Sequence, residues 1–171
     1  MKQLIRSFLD MIMLRKGADA IPSSLLVFIF SLGLLLISSS GVLFLIDNSS
    51  NQSPWINFLG YFLGISFYGA ILISYGFIGR ILQTFSAIIA CGSLITIIFV
   101  LEFILFAPFI GINLAGLLAS FIMLWSVPVE GHLISSAIGK SRFFGIIIAI
   151  IALLIQFIFQ ANILNYLEST S

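Results

Sequence analysis

Five long apolar runs, parted by breaks of a few residues each, dominate this chain. They extend approximately over 24–46, 55–78, 81–106, 112–138 and 143–166. At ~1.5 Å of rise per helical residue, each is long enough to cross the ~30 Å of hydrocarbon in a bilayer. The rest of the composition leaves no other solvent for such runs. Of 171 residues, 61% are hydrophobic and only 8% charged, and mean hydropathy is +1.26. A soluble domain of this length needs a polar surface that these residues cannot supply. The expected fold class is therefore an all-α integral membrane protein, a bundle of five transmembrane helices over 21–171 whose main partner is the lipid bilayer. A formal net charge of +1 gives nucleic acid no electrostatic footing.

The breaks fall at Asp47 to Pro54, Gly79-Arg80, Ala107 to Gly111 and Gly139 to Arg142. Turns this short predict that consecutive helices are antiparallel neighbours. Basic residues set the orientation, because Lys and Arg near helix ends are retained on the cytoplasmic side. Lys2, Arg6, Arg15 and Lys16 precede the first run, Arg80 lies between the second and third, and Lys140 and Arg142 between the fourth and fifth. A five-span topology places all of them on one side and leaves the other with Asp47 and Glu168. This predicts a multi-pass protein with its N-terminus in the cytoplasm and its C-terminus periplasmic or extracellular.

The first twenty residues have a different pattern. Leu4, Ile5, Phe8, Met11 and Ile12 recur at helical spacing, while Lys2, Arg6 and Asp10 occupy another arc. The pattern predicts an amphipathic helix lying on the inner leaflet, within a cytoplasmic segment spanning 1–20. The first apolar run is longer than a signal-peptide core, so no cleaved leader is expected. Pro22 suits the first turn of the first span.

Polar residues inside the spans are where function is sought, because each is costly in lipid. On the third span Arg80, Thr84, Ala87, Cys91, Ile98 and Glu102 fall along one stripe, with Gln83 beside it, and that stripe is expected to face the bundle. Gly60 and Gly64 form a GxxxG on the second span that would admit another helix closely. Near the inner end of the fourth span stand Glu130 and His132, two residues apart and so ~200° apart on a helix. They are not expected to share a ligand. Arg80, reaching in from the neighbouring helix, is the expected partner of Glu130, and Ser135, Ser136, water or head groups are expected to satisfy His132. Pro128 frees the carbonyl of Leu124 and predicts a kink. Arg80, Gln83, Thr84, Glu130 and His132 form the candidate polar cluster, with Glu102 secondary.

No Gly-rich phosphate loop, Ser/His/Asp set, usefully spaced carboxylate pair or CxxC is present, and Cys91 is the single cysteine. No catalytic residue, metal site or cofactor is expected. Three segments, LRKGADAIPSS from Leu14, GRILQTFSAIIACGSL from Gly79 and LWSVPVEGHLISSAIG from Leu124, resemble small bacterial inner-membrane proteins of the Yip1-like type. The most specific part is the R-x-x-Q-T of Arg80, Gln83 and Thr84. The resemblance implies a five-helix inner-membrane protein, a role in partner recruitment, and no catalytic residues. The expected function is thus a non-enzymatic scaffold or subunit of a membrane assembly, with a protein partner or a homo-oligomer. The alternative is a small transporter or proton-coupled carrier using Arg80, Glu130 and His132; an intramembrane enzyme ranks third.

Overall fold

The computed structural model describes residues 2–45 and 54–170, and every regular element among them is helical. The elements are α1 (Lys2–Ile12), α2 (Leu25–Leu45), α3 (Pro54–Ser74), α4 (Ile81–Ile110), α5 (Ile112–Leu124), α6 (Ser126–Ile138) and α7 (Arg142–Thr170), with short 3-10 turns at Ala18–Ala20 and Ile78–Arg80. Five segments are long and apolar enough to cross a membrane: Leu25–Leu45, Trp55–Ser74, Ile78–Ile110, Ile112–Ile138 and Arg142–Tyr166. The expected turn at Asp47 lies outside the described residues.

The fourth of these segments is two helices. Trp125 separates α5 from α6, and the Val129 amide meets the Trp125 carbonyl only at 3.4 Å. Pro128 has no N–H to give the preceding turn and its ring crowds the carbonyls there, which is why the break falls just before it. Glycines close the other ends. Gly111, at φ 84°, joins α4 to α5, and Gly139, at φ 67°, ends α6 while the Lys140 amide returns to the Ser135 carbonyl at 2.9 Å. Both conformations lie where a side chain is strained.

In space the helices run in the order α2, α4, α6, α7, α3, with α5 folded back along α4. The expectation that consecutive spans are neighbours holds for the third with the fourth and the fourth with the fifth, and fails for the first two, since α2 packs on α4 and α3 chiefly on α7. Surface chemistry explains the pairing. Gly60 and Gly64 of α3 receive Gln160 and Gln156 of α7, two i,i+4 pairs meeting in antiparallel register. Between α2 and α4, the Ser31 hydroxyl donates to the Ser86 carbonyl at 3.0 Å, and Gly41 lies against Val100. The tightest crossing is α6 on α7: a Cβ built on Gly131 would stand 2.7 Å from the Ile146 backbone.

Burial is uneven along the bundle. Around α6 nearly every position from Val129 to Ile138 is buried, as is the α4 stretch from Ser86 to Cys91, whereas α5 exposes Leu114, Leu117, Phe121 and Leu124. The densely packed part is the end carrying Arg80 and Gly139, called here the basic end. On the polar stripe of α4, Thr84, Ala87 and Cys91 are fully buried, but Ile98 is 44% exposed, so the stripe is interrupted there before the buried carboxyl oxygens of Glu102.

The amphipathic helix forms as α1, yet most of its apolar face is covered by protein, with Ile5 left 45% exposed. Phe8 and Met11 are fully buried against the bundle, where α1 packs on α4 and α6. Phe8 stacks on Phe30 with centroids 6.5 Å apart, and the indole N–H of Trp125 donates to the Ile12 carbonyl at 3.0 Å. The reason is the break in the fourth span, which puts Trp125 and the buried face of α6 where α1 can fill against them. After α1 the chain is strapped to the basic end. The Ala18 amide donates to Ser136 Oγ at 3.0 Å, and the Gln83 side-chain amide donates to the Ile21 carbonyl.

Candidate functional site

The R-x-x-Q-T segment opens α4 and divides its work among three neighbours. Arg80 Nη1 donates to the Ala137 carbonyl at 3.0 Å, satisfying one of the unpaired carbonyls at the end of α6, and its guanidinium lies 5.1 Å from the Phe77 ring. Gln83 holds the strap, as above. Thr84 is fully buried with its hydroxyl unpartnered.

Glu130 does not meet Arg80. Its Oε2 accepts a hydrogen bond from the Tyr68 hydroxyl of α3 at 2.7 Å, and Tyr68 is itself buried. The expected pair fails on depth. Arg80 stands level with Ala137, seven positions and therefore ~10 Å along α6 from Glu130. The guanidinium reaches the carbonyls at the helix end first. Tyr61 of α3 and Cys91 of α4 also lie within electrostatic reach of the Glu130 carboxyl. The polar centre of the bundle is therefore Glu130 with Tyr68, flanked by Tyr61 and Cys91. The sulfur of Cys91 is in turn 3.8 Å from the Phe8 carbonyl of α1.

His132 points elsewhere, toward the strap. It is 8% exposed, its charged neighbours are Arg142 and Asp19, the Lys16 main chain lies close, and neither ring nitrogen completes a hydrogen bond. Of its expected partners, serine, water or head groups, the serines are otherwise engaged: Ser135 Oγ donates to the His132 main-chain carbonyl and Ser136 Oγ to that of Leu133. This is back-bonding within the helix, as short hydroxyl side chains commonly do. Glu102, on the far half of α4, has both carboxyl oxygens buried and unpartnered. Of the six candidates, then, Arg80 and Gln83 act at the basic end, Glu130 and His132 face different neighbours, Thr84 packs, and Glu102 stands apart.

Tyr68 and Tyr61 are not among the sequence candidates, yet their spacing of seven puts both on one face of α3, close to that of Gly64. Gln156 and Gln160 carried a similar signal, polar residues one turn apart that match the glycine spacing of α3.

Outside the spans, Lys16 Nζ meets Asp10 Oδ2 at 2.8 Å, the one ion pair among the described residues. The hydrogen bond from Lys16, helped by Arg6 and Arg15, holds the Asp10 carboxyl below the usual carboxylate range. Among the described residues no cluster of three His, Cys, Asp or Glu side chains is placed to hold a metal. Surface grooves are apolar: one between α3 and α7 is lined by Leu63, Ile155 and Phe159, and another on α5 by Leu117, Phe121 and Leu124. No family model, curated protein or solved structure matches the chain.

Proposed function

We propose that this is an integral protein of the bacterial inner membrane, a non-enzymatic scaffold or subunit of a membrane assembly of the Yip1-like type. The basic end faces the cytoplasm with the N-terminus, and the C-terminus lies on the periplasmic side. One observation carries the reading. The ionisable residues within the bundle are parted, Arg80 on a helix-end carbonyl, Glu130 on Tyr68 and His132 beside the strap, so they line no common path. A carrier requires polar groups that hand a substrate or proton across the bundle. A scaffold requires helices fixed against one another and apolar faces free for a partner. Those faces are present along α5 and the outer halves of α4 and α7.

Purification in a mild detergent with chemical cross-linking tests this reading. A stoichiometric membrane partner or a homo-oligomer is expected; a lone monomer recovered from several detergents overturns it. A C-terminal reporter active only in the periplasm checks the orientation.

A proton-coupled carrier is the second reading, favoured by the cluster of Glu130, Tyr68, Tyr61 and Cys91 in the bundle. It requires Glu130→Gln to abolish a proton flux that the wild-type chain supports in sealed vesicles. Wild-type vesicles as tight as protein-free ones remove it.

A further inference from the structure

We infer that the two turns at the basic end, Tyr75 to Arg80 and Gly139 to Arg142, form one binding surface for the phosphate head group of an anionic phospholipid. The turns come together through their aromatic residues. Lys140 Nζ lies 5.8 Å from the centre of the Tyr75 ring, and the same ring meets Phe144 edge-on at 6.4 Å. Arg80, from the other side of the first turn, is fixed over Phe77 at 5.1 Å and on the Ala137 carbonyl. Arg142 opens α7 next to Lys140, and all three cations are exposed.

What holds Arg80 and Lys140 is neutral: two ring faces and a main-chain carbonyl. Neither turn contains an Asp or Glu; Asp19 of the strap shares the neighbourhood of His132 with Arg142 but forms no ion pair with any of the three cations, and the one ion pair among the described residues is between Lys16 and Asp10. Their charge is therefore left for an outside anion. One guanidinium N–H of Arg80 is spent on Ala137, and an arginine has five, so bidentate contact with a phosphate remains open to it.

Apolar side chains decide between a lipid and a soluble anion. Phe143 is 74% exposed and Ile78 63% exposed, one in each turn's flank beside the cations. A phospholipid has both parts in the right order, a phosphate for the cations and acyl chains for Phe143 and Ile78. An acidic soluble partner would leave those apolar groups uncovered. The inference goes beyond the scaffold reading, and its failure would leave that reading in place.

The test uses the purified full-length chain in a neutral detergent. It is titrated with phosphatidylglycerol or phosphatidylcholine, and the lipid retained is counted by native mass spectrometry. Wild type should retain phosphatidylglycerol preferentially. Each basic residue near an anionic surface is worth about a fivefold change in affinity, so Lys140→Gln with Arg142→Gln should lower it by an order of magnitude or more. Arg6→Gln with Arg15→Gln removes the same charge from the N-terminal segment and should leave affinity within about twofold. Equal losses in the two double variants, or no preference in wild type, overturn the inference. Displacement of the lipid by inorganic phosphate at the same concentration also overturns it, because the surface would then take a free anion. Should the double variant aggregate, Lys140→Gln alone and wild type at raised salt, where screening should weaken retention, supply the same decision.

Discussion

Replacing Gly131 with alanine tests the packing on which the whole basic end depends. The new Cβ would stand 2.7 Å from both Cα and N of Ile146 and 2.9 Å from the carbonyl carbon of Gly145. These are backbone atoms of α7 and cannot rotate away. Restoring ordinary contact near 3.4 Å requires the two helices to part by about 0.7 Å at the crossing, and a gap of that size forfeits a quarter to a half of the dispersion energy of the atoms that line it. Overpacking of this kind costs about 1–3 kcal/mol. For a chain of this length that corresponds to a fall in Tm of roughly 2–12 °C. Thermal unfolding in detergent, followed by circular dichroism, measures it. Gly116→Ala is the control, since nothing lies within 4 Å of a Cβ placed there, and the better helix propensity of alanine should leave Tm unchanged or slightly raised. A Gly131→Ala protein that melts with the control would refute the close crossing.

Three other perturbations address single contacts. Tyr68→Phe removes the hydroxyl that Glu130 accepts from and should cost about 1–3 kcal/mol in the same melt, whereas Glu130→Gln, which keeps an acceptor for Tyr68, should cost less; the reverse order would refute the bond. Trp125→Phe deletes the donor to the Ile12 carbonyl and should loosen α1, seen as faster alkylation of Cys91, whose sulfur lies beneath the Phe8 carbonyl; an unchanged labelling rate would show that α1 is held without it. The pair of Asp10 with Lys16 predicts a pH dependence. Because the Asp10 carboxyl is held below its ordinary value, its contribution is complete above the usual carboxylate pKa and is lost as pH falls through the lowered one. Hydrogen exchange of the last turn of α1 should therefore quicken, relative to intrinsic rates, only in strong acid, and Asp10→Asn should abolish that step.

The five helices able to cross a membrane were legible because hydropathy over some twenty residues is a property of each segment alone. Pro128 announced the break in the fourth for the same reason, its effect being local to its own helix. The order of the helices in space was not legible. It depends on matched pairs of surfaces, such as Gly60 and Gly64 with Gln160 and Gln156, and periodicity in one helix says nothing of which partner fits. Helical geometry separated Glu130 from His132 correctly, since that too is a single-helix property. It failed on the partner of Glu130, because whether Arg80 reaches it turns on the relative depth of two helices. Tyr68 was visible as a residue and invisible as a donor. Amphipathicity identified α1, but whether lipid or protein covers its apolar face is decided by the opening at Trp125, about a hundred residues further on.

That separation governs the order in which the molecule can be completed. Trp125 bonds Ile12 across a sequence distance of 113, and Ser136 bonds Ala18 across 118. At about 5–20 residues per second of synthesis, the N-terminal segment is made roughly 6–24 s before the residues that fasten it. During that interval Phe8 has Phe30 and then the α4 surface around Cys91 to pack on, but not the α6 face that completes the cover of α1. Docking of the first helix is thus completed only once α5 and α6 exist, and the beginning of the chain reports that its fourth long apolar segment has been built.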